Sequence, residues 1–273
     1  MHFRMKHVKH VGLIAMMFAL LFTLGACASK QESSTSTLDQ IKQRGKLIAG
    51  VKYDTRLFGY KDPNTGQVEG FDVDIAKALA KKILGDENKI ELKEVTSSTR
   101  IPMLKNGDID VIVATMTITD ERKQEIDFSD VYYHAGQSLL VHKDSPIKGI
   151  EDLAGKKVIG VKGSTSVKNI REKAPQAEVL EYPDYAQAFA ALRSNKGDAL
   201  TTDNVILMGM HQEDPNYVLV GGLFTDEPYG IGIRKGDEAF VKYVNDFLKE
   251  LKDSGQYREL YMKWFNEEPP ANQ

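Results

Sequence analysis

Two segments far apart in this chain are written to one plan. TRIPMLKNGD gives a helix closed by Asn106-Gly107, and IDVIVATMTIT then gives an apolar strand that runs into threonines. YAQAFAALRSNKGD gives a helix closed by Asn195-Lys196-Gly197-Asp198, and DALTTDN gives a strand that again ends in threonines and an acid. Asn-Gly and its variants close helices because the residue past the last turn must adopt a left-handed backbone. Each pair follows two earlier strands: KLIAGVKY and IELKEV in the first half, KKVIGVKG and EVLEY in the second. Alternating strands and helices build mostly parallel sheets covered on both faces. Ligands in such sheets lie beyond the carboxyl ends of the strands. Two such units, each with polar groups at its strand ends, predict two lobes with a cleft between them.

The spacing differs between the halves, so this is no tandem repeat array. GFDVDIAKALAKKIL adds a helix to the first half, with Ile75, Leu79 and Ile83 on one face and Asp72 or Asp74 as its expected cap. GYKDPNTGQVEG is turn chemistry. Tyr229 to Arg234 reads as a strand returning to the first lobe, with a turn at Lys235-Gly236-Asp237. Its GIGIRKG lacks the dinucleotide-binding spacing. The last segment gives two amphipathic helices, the first with Phe240, Val244, Phe247, Leu248 and Leu251 on its core face. Trp264 and Phe265 are expected to pack rather than to recognise a partner.

The N-terminus is of another kind. Arg4, Lys6 and Lys9 precede an apolar run from Val11 to Leu24, as in a secretory signal peptide. That run is shorter than the roughly 20 residues that span a bilayer. Leu24-Gly25-Ala26-Cys27 resembles a bacterial lipobox, and Cys27 is the single cysteine, so a disulfide framework is excluded. Residues 1–26 are therefore expected to be removed. Residues 27–37 should form a lipidated cysteine and a polar tether, placing the protein at the outer face of the cytoplasmic membrane. Removal takes three cations and no acid, which moves the formal charge from −3 to −6. Basic residues are scattered among acids, which gives no footing for nucleic acid.

Motifs of catalysis are missing. The sequence holds no His-Glu-x-x-His, no Cys/His cluster, no Gly-x-Ser-x-Gly elbow and no Walker loop. His134, His142 and His211 stand alone in the body. No cofactor, metal or enzymatic activity is expected.

Binding chemistry is present instead. Strand alternation puts Thr115, Thr117 and Thr119 on one face of the VIVATMTIT strand end. Thr119 can cap the following helix, with Asp120, Glu121 and Arg122 in its first turn. A guanidinium, hydroxyls and a helix start can hold a carboxylate. A solvated turn, with Arg122 paired to Asp120 or Glu125, would use the same residues.

GFDVDIAKALAKKI, ATMTITDERK, FSDVYY and DLAGKKVIGVKGSTS, in this order, resemble the amino-acid-binding proteins of bacterial ABC importers, solute-binding protein family 3. The likeness runs from Leu38 to Phe265. It implies the type II periplasmic-binding-protein fold, with lobe 1 at residues 38–131 and 230–273, hinges at 132–136 and 225–229, and lobe 2 at residues 137–224. By resemblance, Arg122 and Thr117 hold the ligand α-carboxylate, Thr165 and Ser166 meet it from across the cleft, and Asp203 holds the α-ammonium. Lys52, Arg100, Tyr185 and Thr115 resemble positions around a side-chain carboxylate in glutamate- and aspartate-binding members. Two cations beyond Arg122 would be poorly paired around a neutral ligand, which favours glutamate or aspartate. Glutamine is the alternative, although Thr55 and Ser97 occupy positions where glutamine-binding relatives often carry aromatic residues. More distant alternatives are a cyclohexadienyl dehydratase-like enzyme and an extracellular sensor; no signalling domain follows Phe265. The expected partners are a small amino acid and a permease with its ATPase, served by a monomer that closes about its hinges.

Overall fold

The structure, a computed structural model, describes residues 36–271. The expected signal peptide, the expected lipobox with Cys27 and most of the expected tether lie outside the described residues. The described residues open with α1 (Thr37–Arg44), whose start is capped by Ser36, accepting from the Asp39 N–H.

Two five-stranded sheets organise the body. The first uses β1 (Leu47–Val51), β5 (Ile90–Glu94), β6 (Val111–Ile112), β7 (Ile126–Ala135) and β13 (Glu227–Arg234), in the order β5-β1-β6-β13-β7. The second uses β8 (Gln137–His142), β9 (Lys157–Val161), β10 (Glu178–Tyr182), β11 (Ala199–Asp203) and β12 (Tyr217–Val220), in the order β10-β9-β11-β8-β12. In each sheet one strand runs against the rest: β13 in the first and β8 in the second. Four of the five strands in each sheet thus point the same way, and parallel neighbours need a crossover connection, here mostly helical.

The likeness of the halves extends to single hydrogen bonds. Asp110, just before β6, accepts from the N–H of Ile48 at 2.8 Å. Asp198, just before β11, accepts from the N–H of Lys157 at 2.7 Å. In both sheets an acid just before the central strand ties it to the start of its parallel neighbour.

Helices cover the sheets. They are α2 (Phe71–Leu84), α3 (Arg100–Asn106), α4 (Asp120–Glu125), α5 (Thr165–Lys173), α6 (Tyr185–Arg193), α7 (Asn204–Glu213), α8 (Glu238–Asp253) and α9 (Gln256–Phe265). Gly107 closes α3 with φ 81, as the Asn-Gly pair predicts. The five apolar residues expected on the α8 core face are all buried. Phe265 packs on Phe58, Phe71, Tyr133 and Tyr261. Trp264 packs at the surface and donates to Asp74 at 2.8 Å.

The turn-rich GYKDPNTGQVEG supplies β3 (Gly59–Lys61) and β4 (Val68–Glu69), which join β2 (Asp54–Thr55) in a small antiparallel sheet. Asp62 closes its turn by accepting from the N–H groups of Asn64 and Thr65.

Two local expectations fail. Neither Asp72 nor Asp74 caps α2. Its cap is Gly70 at φ 144, where a Cβ would lie 2.0 Å from the Phe58 carbonyl oxygen, so only glycine lets β3 pass so close. The threonine strand also stops early. Regular β6 pairing ends at Ile112, and Thr115 takes φ 45, breaking the alternation that would align it with Thr117 and Thr119.

Candidate functional site

The predicted site residues gather where the strands of the two sheets end. Lys52 follows β1, Arg100 opens α3 after β5, and the Thr115–Thr117 turn follows β6. On the facing side, Gly163 to Ser166 follow β9, Tyr185 follows β10, and Asp203 is the last residue of β11. These are the carboxyl ends of parallel strands, where polar groups can be presented without breaking a ladder.

Lys52, Arg100, Thr115, Thr117, Arg122, Ser166, Tyr185 and Asp203 are all buried; Thr165 is half-buried. A groove of about 670 Å³ runs between the sheets, lined by Thr117, Arg122, Gly163, Thr165 and Glu227 among others.

Arg122 sits as predicted on α4, whose first turn is capped by the Thr119 hydroxyl accepting from the Arg122 N–H at 3.1 Å. Its guanidinium ignores Asp120 and Glu125, which pair with Lys123 and Lys105. It donates instead to the carbonyl of Thr117 at 2.7 Å and, across the cleft, to that of Gly163 at 3.2 Å. Burial pushes its pKa down, while Asp203 and Glu227 oppose the shift.

Gly163 has φ 79, and a Cβ there would lie 2.9 Å from the Cα of Ser98. The two jaws therefore meet at a glycine because no side chain fits.

Arg100 donates to the carbonyls of Ala114 and Thr115 at 2.6 and 3.3 Å. Lys52 donates to the Ser97 hydroxyl at 3.0 Å and lies 4.9 Å from the centroid of the Tyr185 ring. Burial brings the Lys52 pKa down to about 8, with nearby Asp54 opposing. Burial and the nearby Arg122 bring that of Arg100 down to about 9.

Asp203 stands at the start of α7 yet does not cap it. One of its oxygens, Oδ2, accepts from the Tyr229 hydroxyl on β13 of the other sheet. The second oxygen has no partner. Burial, with Glu227 nearby, raises the pKa of Asp203 to about 7. Among the described residues, two buried side-chain polar atoms lack a hydrogen bond: Asp203 Oδ1 and Arg100 Nε. An acceptor and a donor on opposite sides of one cleft can take an ammonium and an oxygen of the same small molecule.

Several residues that shape the site escape a reading of the sequence. Glu227 is buried at the start of β13, where it accepts from Thr165 at 2.9 Å and from Asn169 at 3.0 Å. Gln137, fully buried, donates to Thr165 and accepts from Asn169. Asp72 is fully buried beneath the Thr115 turn, accepting from the Thr115 N–H at 2.7 Å and the Tyr132 hydroxyl at 2.8 Å. Asp72 was visible only as an acid at a helix start, and nothing in the sequence around Glu227 marks it as buried.

These additions change the charge balance. Three buried cations, Lys52, Arg100 and Arg122, are accompanied by three buried acids, Asp72, Asp203 and Glu227. The remaining buried charge, Asp110, pairs with Arg44 and Arg234 away from the cleft. Cations and acids are thus equal in number among the buried side chains, although Lys52, Arg100 and Arg122 donate to hydroxyl and carbonyl oxygens rather than to carboxylates and burial raises Asp72 and Asp203 to about 7. No grouping of side chains among the described residues could hold a metal ion, and none of the described helices is long and apolar enough to cross a membrane.

Residues 47–267 match the family described as bacterial extracellular solute-binding proteins, family 3. The chain is 59% identical to the ABC transporter glutamine-binding protein GlnH of Bacillus subtilis (strain 168), over 97% of this chain and 99% of that one. It is 62% identical to the glutamine-binding protein of Geobacillus stearothermophilus, over 81% of this chain and 85% of that one. Among solved structures, an ancestral arginine-binding protein bound to glutamine superposes with TM-score 0.77 at 43% identity, covering 82% of this chain and 99% of that one.

Proposed function

The chain belongs to the bacterial extracellular solute-binding proteins, family 3, and serves an ABC amino acid importer; from that premise we propose that its ligand is glutamine. The observation that carries this is the charge parity of the cleft, with three buried cations against three buried acids. A zwitterion with a neutral side chain preserves that parity. Glutamate or aspartate would add an unmatched anion in a desolvated site, which is costly. The names of the relatives at 59% and 62% identity support the same choice.

In this reading Arg122 and Thr117 hold the α-carboxylate and the free oxygen of Asp203 takes the α-ammonium. The Thr165 hydroxyl is committed to Glu227, so Thr165 and Ser166 contribute mainly through the backbone N–H groups that open α5, which have no partner within a helix. Lys52, Arg100, Tyr185 and Thr115 surround the side chain, with Arg100 Nε as donor to the amide oxygen.

Closure about the two strand crossings brings both jaws to the ligand. Residues 132–136 and 225–229 are the hinges, between a first lobe at 38–131 and 230–273 and a second at 137–224. They lie beside each other, since Glu227, Pro228 and Tyr229 pair with Ala135, His134 and Tyr133. Both jaws must touch the ligand, because only differential contact can shift open toward closed. Residues 1–26 act as a signal peptide, and lipidation of Cys27 anchors a monomer to the membrane.

A thermal-shift comparison of the free amino acids tests the assignment. Glutamine should raise the melting temperature most; a larger rise with glutamate or aspartate would refute it.

A further inference from the structure

The two jaws also touch away from the residues assigned to the ligand. Asp54, in β2, reaches across the cleft and accepts from the Tyr185 N–H at 2.7 Å. That N–H is the first of α6, one of the four that a helix start leaves without an internal partner. Asp184 caps the same helix from its own side, accepting from the Gln187 N–H at 2.8 Å. The start of α6 thus holds two carboxylates, one from each jaw, where the helix dipole favours negative charge. The other oxygen of Asp54 accepts from the Thr55 hydroxyl at 3.1 Å, so both are occupied within the protein.

Packing beside this bond is close. Gly209 of α7 faces Arg56, two residues beyond Asp54. A Cβ on Gly209 would lie 2.9 Å from the Arg56 Cβ and 3.2 Å from its carbonyl oxygen. Arg56 lies over the Tyr60 ring, 4.2 Å from its centroid, and donates to Glu213 at the end of α7 at 3.0 Å. Arg193 donates to the other oxygen of Glu213 at 3.1 Å. The Arg56–Glu213 pair is half-exposed, and such pairs move an equilibrium by about fivefold at most. The half-buried Asp54 bond, from a charged acceptor, is the stronger tie.

We propose that Asp54 is a latch between the jaws, bonding to the start of α6 only in the closed protein and so slowing release of the amino acid without touching it. This rests on closure about the proposed hinges. Opening carries residues 137–224 away from Asp54 and breaks the bond, so the contact favours the closed form whichever amino acid is held. It also positions Tyr185. With its N–H held by Asp54, the tyrosine ring stands 4.9 Å from the ammonium of Lys52, and its hydroxyl accepts from Thr202 at 3.0 Å. A tie that forms after encounter acts on release and leaves association alone.

The test times the release of radiolabelled L-glutamine chased with unlabelled L-glutamine; the association rate follows from the dissociation constant at equilibrium. An unaltered protein that fails to bind glutamine sinks the glutamine assignment by itself, and the same rates are then read with L-glutamate. Asp54→Ala should release the amino acid roughly tenfold faster or more, with association within about threefold of the unaltered rate. Asp54→Asn keeps an acceptor for the Tyr185 N–H and should recover at least half of that loss on a logarithmic scale, roughly as a neutral hydrogen bond compares with a charged one. Gly209→Ala suits a helix better than glycine but crowds Arg56 in the closed form, so it should speed release without lowering the melting temperature of the free protein. Release within about twofold of the unaltered rate in Asp54→Ala, or a loss that falls on association instead, overturns the proposal. Should Asp54→Ala not fold, Gly209→Ala decides alone, and an unchanged release rate there overturns it equally.

Discussion

Tyr229 and Asp203 join the two sheets of this protein through one hydrogen bond, and that bond decides which carboxylate oxygen remains for a ligand. Tyr229 belongs to β13 of the first sheet and Asp203 to β11 of the second. The tyrosine occupies Oδ2 and leaves Oδ1 without a partner. Asp203→Asn should weaken glutamine binding by at least a hundredfold, about 3 kcal/mol, because a buried ammonium would lose its counter-charge. Calorimetry on the folded variant checks this; an affinity within tenfold of the unaltered protein would remove Asp203 from the ammonium site.

The acid pair gives a pH signature. Burial raises both Asp72 and Asp203 to about 7, from an ordinary value of 3.8. Their folded-state values lie above the unfolded ones. In the unliganded protein their contribution to stability is therefore fully present below pH 3.8 and is lost as pH rises through about 7. An ammonium on Asp203 favours its ionised form and pulls its pKa down. Glutamine affinity should then rise with pH, by up to about tenfold per unit, and level off above about 7. Titrations between about pH 5 and 8, with proton release read from buffers of different ionisation heat, test this. A flat profile without proton release would contradict it.

Gly163 tests closure without touching charge. A methyl group there meets Ser98 and Ser97 of the other jaw, and φ 79 disfavours any side chain. Gly163→Ala should cost about 1–3 kcal/mol of overpacking in the closed form, lowering affinity roughly tenfold or more. Small-angle scattering should also show less ligand-induced compaction. Full compaction with unchanged affinity would mean that the jaws need not meet at this glycine.

Arg122→Ala should abolish measurable glutamine binding while the chain stays folded. The guanidinium is replaceable in the fold, since its partners are carbonyls of Thr117 and Gly163, but no other described cation lies on α4 near that helix start except exposed Lys123. Retained micromolar binding would assign the carboxylate elsewhere.

The architecture was legible because strand and helix periods, Asn-Gly closures and strand-end threonines are local signals. Thr119 as a cap with Arg122 behind it needs only neighbouring residues, and the structure has it so. What failed was non-local. Asp72 looks like a helix cap until β3 forces Gly70 into that role and Thr115, on another element, claims the carboxylate. The left-handed turn at Thr115 cannot be inferred from an alternating Thr-x-Thr-x-Thr, because it is held by that distant acid. Lys52 and Arg100 are buried at the strand ends, but that Asp72 and Glu227 are buried as well is a tertiary fact that no local pattern carries. The preference for an acidic ligand followed from counting only one side of the charge balance.

The most direct test is calorimetric titration of the protein, unfolded and refolded to remove carried-over ligand, with L-glutamine, L-glutamate and L-aspartate. The account predicts tight binding of glutamine, with both acids weaker by tenfold or more, as expected for an uncompensated buried charge. Glutamate or aspartate binding more tightly than glutamine would contradict it and would mean that Lys52 and Arg100 await a carboxylate after all.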